Sequence, residues 1–154
     1  FAKDAMAAGL DGAIIPDLPA VEAEPWQAAC RAAGFASVAL EAPNTPPDVS
    51  KLIAETARGF VYLVSLKGVT GQDHGLGENL AERVARLRGW TQTPLIAGFG
   101  ISTPEHAKRI GALCDGVAVG SGVVQRIADA RTQDAAESAV LAYVRSLRQG
   151  LDEA

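Results

Sequence analysis

Cysteine is nearly absent. Cys30 and Cys114 are the two in 154 residues, too few and too far apart for a disulfide framework or a zinc site, and their apolar surroundings predict buried thiols. No apolar run approaches the length of a membrane span and no signal-peptide pattern opens the chain, so a cytoplasmic protein is expected. Positive charge is not concentrated anywhere: the 14 Lys and Arg are scattered and the net charge is −4, which leaves no footprint for nucleic acid or an anionic membrane. The two histidines, His74 and His106, have no Asp or Cys pattern nearby that would suggest a triad or a metal site. His74 reads as a solvated loop residue and His106 as an exposed position in a first helical turn. Low-complexity tracts and dividing linkers are missing too, so residues 1–154 read as a single domain with a sizeable core.

What is present is a repeating unit. Phe1 to Gly9 reads as the last turns of a helix begun upstream and closed by glycine. Gly12-Ala13-Ile14-Ile15 is then a buried strand, ended by Pro16-Asp17-Leu18-Pro19. Pro25 opens a helix that runs to Gly34, and Ser37 to Leu40 is a second strand. Thr45-Pro46-Pro47-Asp48 starts a helix that Gly59 ends, and Phe60 to Leu66 is a third strand. A glycine-rich loop from Lys67 to Gly77 leads to a helix over Leu80 to Leu87. Pro94 to Ala97 is the fourth strand, His106 to Leu113 a helix, and Gly116 to Val119 the fifth strand. Helices over Val123 to Ala130 and Ala135 to Arg148 close the chain.

Strands alternating with helices imply parallel pairing with right-handed crossovers. Five such strands fit a complete doubly wound sheet of the flavodoxin type or the C-terminal part of a (β/α)8 TIM barrel, which normally takes about 250 residues. A doubly wound nucleotide fold often carries its glycine-rich turn after the first strand, where this chain has Pro16-Asp17-Leu18-Pro19. The barrel portion is therefore the predicted α/β fold.

The glycine-rich turns come late. Gly98-Phe99-Gly100 follows the fourth strand and leads to Ser102-Thr103-Pro104-Glu105, a helix start with capping hydroxyls, Pro104 in the first turn and Glu105 three residues after Ser102, as in a capping box. Gly120-Ser121-Gly122 repeats the arrangement after the fifth strand. One Gly-x-Gly marks a tight turn and little more. Two in succession, each between a strand and a helix, point to one shared phosphate site, because helix starts present free N–H groups and a positive dipole end. In a barrel such a site lies after the last two strands.

The motifs fall in a familiar order. Gly68-Val69-Thr70-Gly71, preceded by Tyr62-Leu63-Val64-Ser65 and followed by Gly98-Phe99-Gly100-Ile101-Ser102, resembles the tryptophan synthase alpha chain family. Pro16-Asp17-Leu18-Pro19, Ala42-Pro43-Asn44 and Gly120-Ser121 keep that family's order and spacing, so the resemblance covers nearly the whole chain. It implies a lyase of tryptophan biosynthesis that cleaves indole-3-glycerol phosphate into indole and glyceraldehyde 3-phosphate. It also implies backbone phosphate contacts at Gly71, Gly100, Gly120 and Ser121, an indole pocket at Ile14, Leu40, Tyr62 and Phe99, and a lid anchored by Thr70. Read without the resemblance, Ile14, Leu40 and Tyr62 are plain barrel core.

The same resemblance implies a tryptophan synthase beta chain as partner, contacted near Pro16-Asp17-Leu18-Pro19 and Pro43-Asn44. No cofactor is implied for this chain, pyridoxal phosphate being expected only in that partner. The family's catalytic carboxylates fall before this chain, so no catalytic residue is assigned within it. Asp17 reads as a turn-capping carboxylate. Glu41, where the family more often has a small or apolar residue, reads as half of a structural ion pair under the helices. Alternatives are a non-catalytic phosphate-binding or partner-docking fragment and another phosphate-binding TIM-barrel enzyme.

Overall fold

The computed structural model describes residues 1–64, 76–98 and 100–154, the backbone alone at 76–79. Five strands form one parallel sheet: β1 (Gly12–Ile14), β2 (Ala36–Glu41), β3 (Val61–Leu63), β4 (Leu95–Ala97) and β5 (Gly116–Val117). The helices are α1 (Ala2–Ala7), α2 (Glu24–Ala33), α3 (Pro47–Thr56), α4 (Leu76–Arg88), α5 (Pro104–Gly111), α6 (Ser121–Asp129) and α7 (Gln133–Asp152), with a 3-10 turn at Ala20–Glu22.

Spatial order equals chain order, β1-β2-β3-β4-β5. A doubly wound sheet must reverse its strand order at a switch point. No reversal occurs among these strands, which is the winding of a barrel wall.

The two faces of the sheet differ in what they touch. Val61, Leu63, Leu95 and Ala97 pack with Ile53 and Ala54 of α3 and with Leu80, Val84 and Leu87 of α4 in the largest core cluster. Because side chains alternate along a strand, Tyr62 and Ile96 point to the opposite face. Cross-strand register adds Leu40 to their row, since Leu40 pairs with Tyr62 and Tyr62 with Ile96. Ile14, paired with Val38, stands on the same face and is 40% exposed.

Several element boundaries differ from the sequence expectation. Of the two hydroxyls expected at the start of α5, Thr103 is the cap: its backbone is extended (φ −128°, ψ 158°) and its Oγ1 accepts from the His106 amide at 3.2 Å. Ser102 lies one residue too early for a hydroxyl to reach the third helical amide, so the capping-box reading is wrong here. Glu105 instead sits in the first turn, where its own amide and the Thr103 hydroxyl lower its carboxyl pKa. Thr103→Ala should cost about 1 kcal/mol, read as a lower urea midpoint with an unchanged slope. Helix α3 ends at Thr56 with Ala57 as its C-cap, before Gly59, whose φ of +86° serves the turn into β3. Helix α4 begins at Leu76, ahead of the expected Leu80. The 3-10 turn at Ala20–Glu22 had no periodic apolar signal in so short a span.

Both cysteines are buried free thiols, as expected. Burial raises the Cys30 thiol, and burial with the Asp115 charge pushes Cys114 up to about 11. Neither forms a reactive thiolate at neutral pH.

Candidate functional site

All five strands run the same way, so their C-terminal ends share one edge, the edge at which barrel and α/β sites are built. Four of the sequence-predicted segments meet there. The turn at 15–19 follows β1 and the turn at 42–46 follows β2, and together they line a cleft of about 450 Å³ that includes Leu18, Leu40, Asn44 and Pro46. The segment from Gly98 follows β4, and the segment from Ala118 to Gly120 follows β5.

Strand pairing brings the two glycine turns side by side. The Ala118 amide donates to the Ala97 carbonyl at 2.8 Å, so the chain leaves β4 and β5 from adjacent ladder positions. Gly100 adopts φ +54°, a left-handed conformation that a side chain disfavours. Its carbonyl accepts from the His106 ring at 3.1 Å from Nδ1. Since a carbonyl only accepts, this contact fixes the tautomer with its proton on Nδ1. His106 is therefore half-buried and tied to the turn, not the exposed position expected from sequence.

Beyond the turns stand two helix starts. Helix α5 is capped by Thr103, whereas α6 has Gly120 at its N-cap with no side-chain hydrogen bond and no acidic residue in its first turn. The first amides of a helix have no intrahelical acceptor. The Ser121 end of α6 is thus a bare positive pole, suited to an anion.

Apolar groups lie beside these turns on the inner face of the sheet. Tyr62 packs its ring end against Gly98: a Cβ added at Gly98 would lie 2.0 Å from the Tyr62 Oη. Ile96 approaches Gly116, where an added Cβ would be 3.1 Å from Cδ1. Leu40, Tyr62 and Ile96 make a row, with Ile14 one strand further along the same face. Thr70, Gly71 and Phe99 lie outside the described residues.

Glu41 faces away from this row, into the helix layer, and is 0% exposed. Arg83 donates from Nε at 2.9 Å and from Nη2 to its carboxylate, and from Nη2 to its carbonyl at 2.8 Å. Arg86 Nη2 lies 3.2 Å from Oε1, and the Ser50 hydroxyl donates to Oε1 at 3.0 Å. The structural ion pair expected for Glu41 is present. Its partner on α4 could not be chosen from sequence, because three arginines, Arg83, Arg86 and Arg88, compete on that helix. At the opposite edge of the sheet, burial raises the Asp115 carboxyl, but the Leu95 amide and Arg88 outweigh it and the net pKa is lowered. Asp17 is exposed, and no cluster of metal-ligating groups occurs among the described residues.

Comparison with known proteins covers the whole of this arrangement. A profile of the family described as "Tryptophan synthase alpha chain" matches residues 1–152. The tryptophan synthase alpha chain of Dehalococcoides mccartyi is 43% identical over 152 residues, 99% of this chain and 58% of that protein. That of Rhodopirellula baltica is 42% identical over 164 residues, covering 100% of this chain and 59% of that protein. The crystal structure of tryptophan synthase subunit alpha from Legionella pneumophila superposes with a TM-score of 0.83 at 31% identity, over 99% of this chain and 56% of that one. A tryptophan synthase structure from M. tuberculosis gives a TM-score of 0.82 at 30% identity, over 98% and 54%. This chain thus spans little more than half the length of the relatives it matches.

Proposed function

The chain belongs to the tryptophan synthase alpha chain family, and from that premise we propose that the protein cleaves indole-3-glycerol phosphate to indole and glyceraldehyde 3-phosphate, these residues supplying the phosphate and indole side of the site. The observation that carries the reading is the side-by-side placement of the Gly98–Gly100 and Gly120–Ser121 turns, the second opening onto the uncapped start of α6.

The chemistry divides into a handle and a proton transfer. Backbone amides at Gly100, Gly120 and Ser121, joined by Gly71, hold the phosphate dianion. The indole ring lies over the inner-face row of Ile14, Leu40 and Tyr62 with Phe99, and Thr70 anchors the loop that closes over it. With both ends held, the bond between the indole ring carbon and the glycerol chain breaks: a base takes the glycerol hydroxyl proton, an acid protonates the ring carbon, and the aldehyde leaves. We assign that acid and base to the portion of the relatives that this chain does not span. Indole passes to a tryptophan synthase beta chain, docked over the cleft between the turns at 15–19 and 42–46. Pyridoxal phosphate belongs to that partner. A cytoplasmic location goes with this reading, and among the described residues no helix is long and apolar enough to cross a membrane.

The test is indole release by the full-length protein from indole-3-glycerol phosphate and from the same compound without its phosphate. Charge-assisted hydrogen bonds are worth roughly 1.5–3 kcal/mol each, so loss of the phosphate should lower kcat/KM at least about a hundredfold. Equal turnover of the two compounds would remove the phosphate handle, and phosphate binding without any indole release would leave a non-catalytic binding fragment.

A further inference from the structure

Behind the first turn of α6 three observations meet. Tyr143 of α7 is 6% exposed, yet its hydroxyl has no hydrogen-bond partner among the described residues. That hydroxyl is pressed on Gly122: an added Cβ there would stand 2.3 Å from the Tyr143 Oη and 2.9 Å from Cζ. Arg126 covers the ring, its guanidinium carbon 3.3 Å from the centroid, while its Nη1 donates to the Gly122 carbonyl at 2.7 Å. Gly122 is held between the two side chains.

The ring also stands behind both glycine turns. Tyr143 shares an apolar cluster with Ile101, which follows Gly100, and with Val119 and Val123, which flank the Gly120–Gly122 turn. Gly120 brings no side-chain cap to the first turn of α6, and the one α6 side chain bonded to that turn among the described residues, Arg126, lies over the Tyr143 ring. The position of that turn is therefore set by Arg126 and Tyr143 together, the second from α7.

A buried hydroxyl left without a partner is costly, and phenylalanine would fill the same space without the cost. Tyrosine makes sense here if the partner arrives with the ligand. We infer that Tyr143 is a positioning residue for the anion-binding end of α6, its hydroxyl donating to a water ordered by the anion at the Ser121 amide, with Arg126 clamping the ring. Oη sits one residue inside the helix, so a water rather than the anion itself completes the contact. The inference rests on the phosphate reading above and adds to it a residue on another helix.

Tyr143→Phe in the full-length protein separates the possibilities. Inorganic phosphate, titrated by calorimetry, should bind about tenfold more weakly, the loss of one charge-assisted hydrogen bond. The loss should appear in KM for the phosphorylated substrate rather than in kcat, while Tm holds or rises because the unpaired hydroxyl is gone. Arg126→Gln, which frees the ring, should weaken phosphate in the same direction. Unchanged phosphate affinity with a raised Tm would make the hydroxyl a packing defect and overturn the inference. Failure of the unsubstituted protein to bind phosphate would instead overturn the phosphate reading, and this inference with it.

Discussion

Arg83→Leu should lower the stability of the full-length protein by roughly 3 kcal/mol, within the 3–5 kcal/mol typical of breaking a buried ion pair from one side. Glu41 is wholly buried, and the substitution removes both Arg83 contacts to its carboxylate and the one to its carbonyl. Arg86 and Ser50 remain on Oε1, which keeps the loss at the lower end of that range. Removing the charge as well should reverse most of the effect, because a buried pair replaced by apolar groups is often neutral or better. Urea unfolding of Arg83→Leu, Glu41→Leu and the double variant forms the cycle. A double variant no more stable than Arg83→Leu alone would mean that the pair holds the fold in a way that apolar packing cannot replace. The geometry suggests what is at stake: the network joins the end of β2 to α3 and α4, and so supports the turn at 42–46 from beneath.

Gly98→Ala should damage stability and activity together. The added Cβ would fall 2.0 Å from the Tyr62 Oη, 2.3 Å from Cζ and 2.8 Å from Cε1, so the ring must leave its place. Overpacking of this kind costs about 1–3 kcal/mol. The larger effect is on catalysis, because Tyr62 lines the proposed indole pocket and Gly98 leads into Gly100; misplacement by about 1 Å can cost on the order of a hundredfold. Adding Tyr62→Leu removes the three colliding atoms. The double variant should therefore recover most of the lost stability but little of the activity. Recovery of both would take Tyr62 out of the pocket, and recovery of neither would place the damage in the backbone at Gly98.

Much of the architecture was legible in the residues because it depends on local causes. Apolar runs bounded by proline and glycine marked all five strands, and Pro25, Pro47 and Pro104 stand in the first turns of α2, α3 and α5. The errors are local too, but finer: whether Ser102 or Thr103 caps α5 turns on one extended residue, and the side of the helix on which His106 meets Gly100 depends on the path of the turn. The two glycine turns ahead of helix starts were readable because strand, turn and helix start each follow from neighbouring residues, and the anion site proposed there draws on free amides that need no distant partner.

The chain by itself determined the succession of strands and helices and the two late glycine turns, since each follows from the periodicity, capping and conformational range of a few neighbouring residues. Only the tertiary structure decided that the strands lie in chain order without reversal. It alone joined Glu41 to Arg83, 42 positions away, and set Tyr143 of the last helix behind Gly122. Those choices compare many alternative partners across the whole packed chain, with burial and unmet hydrogen bonds deciding among them, and no short stretch of residues contains that comparison.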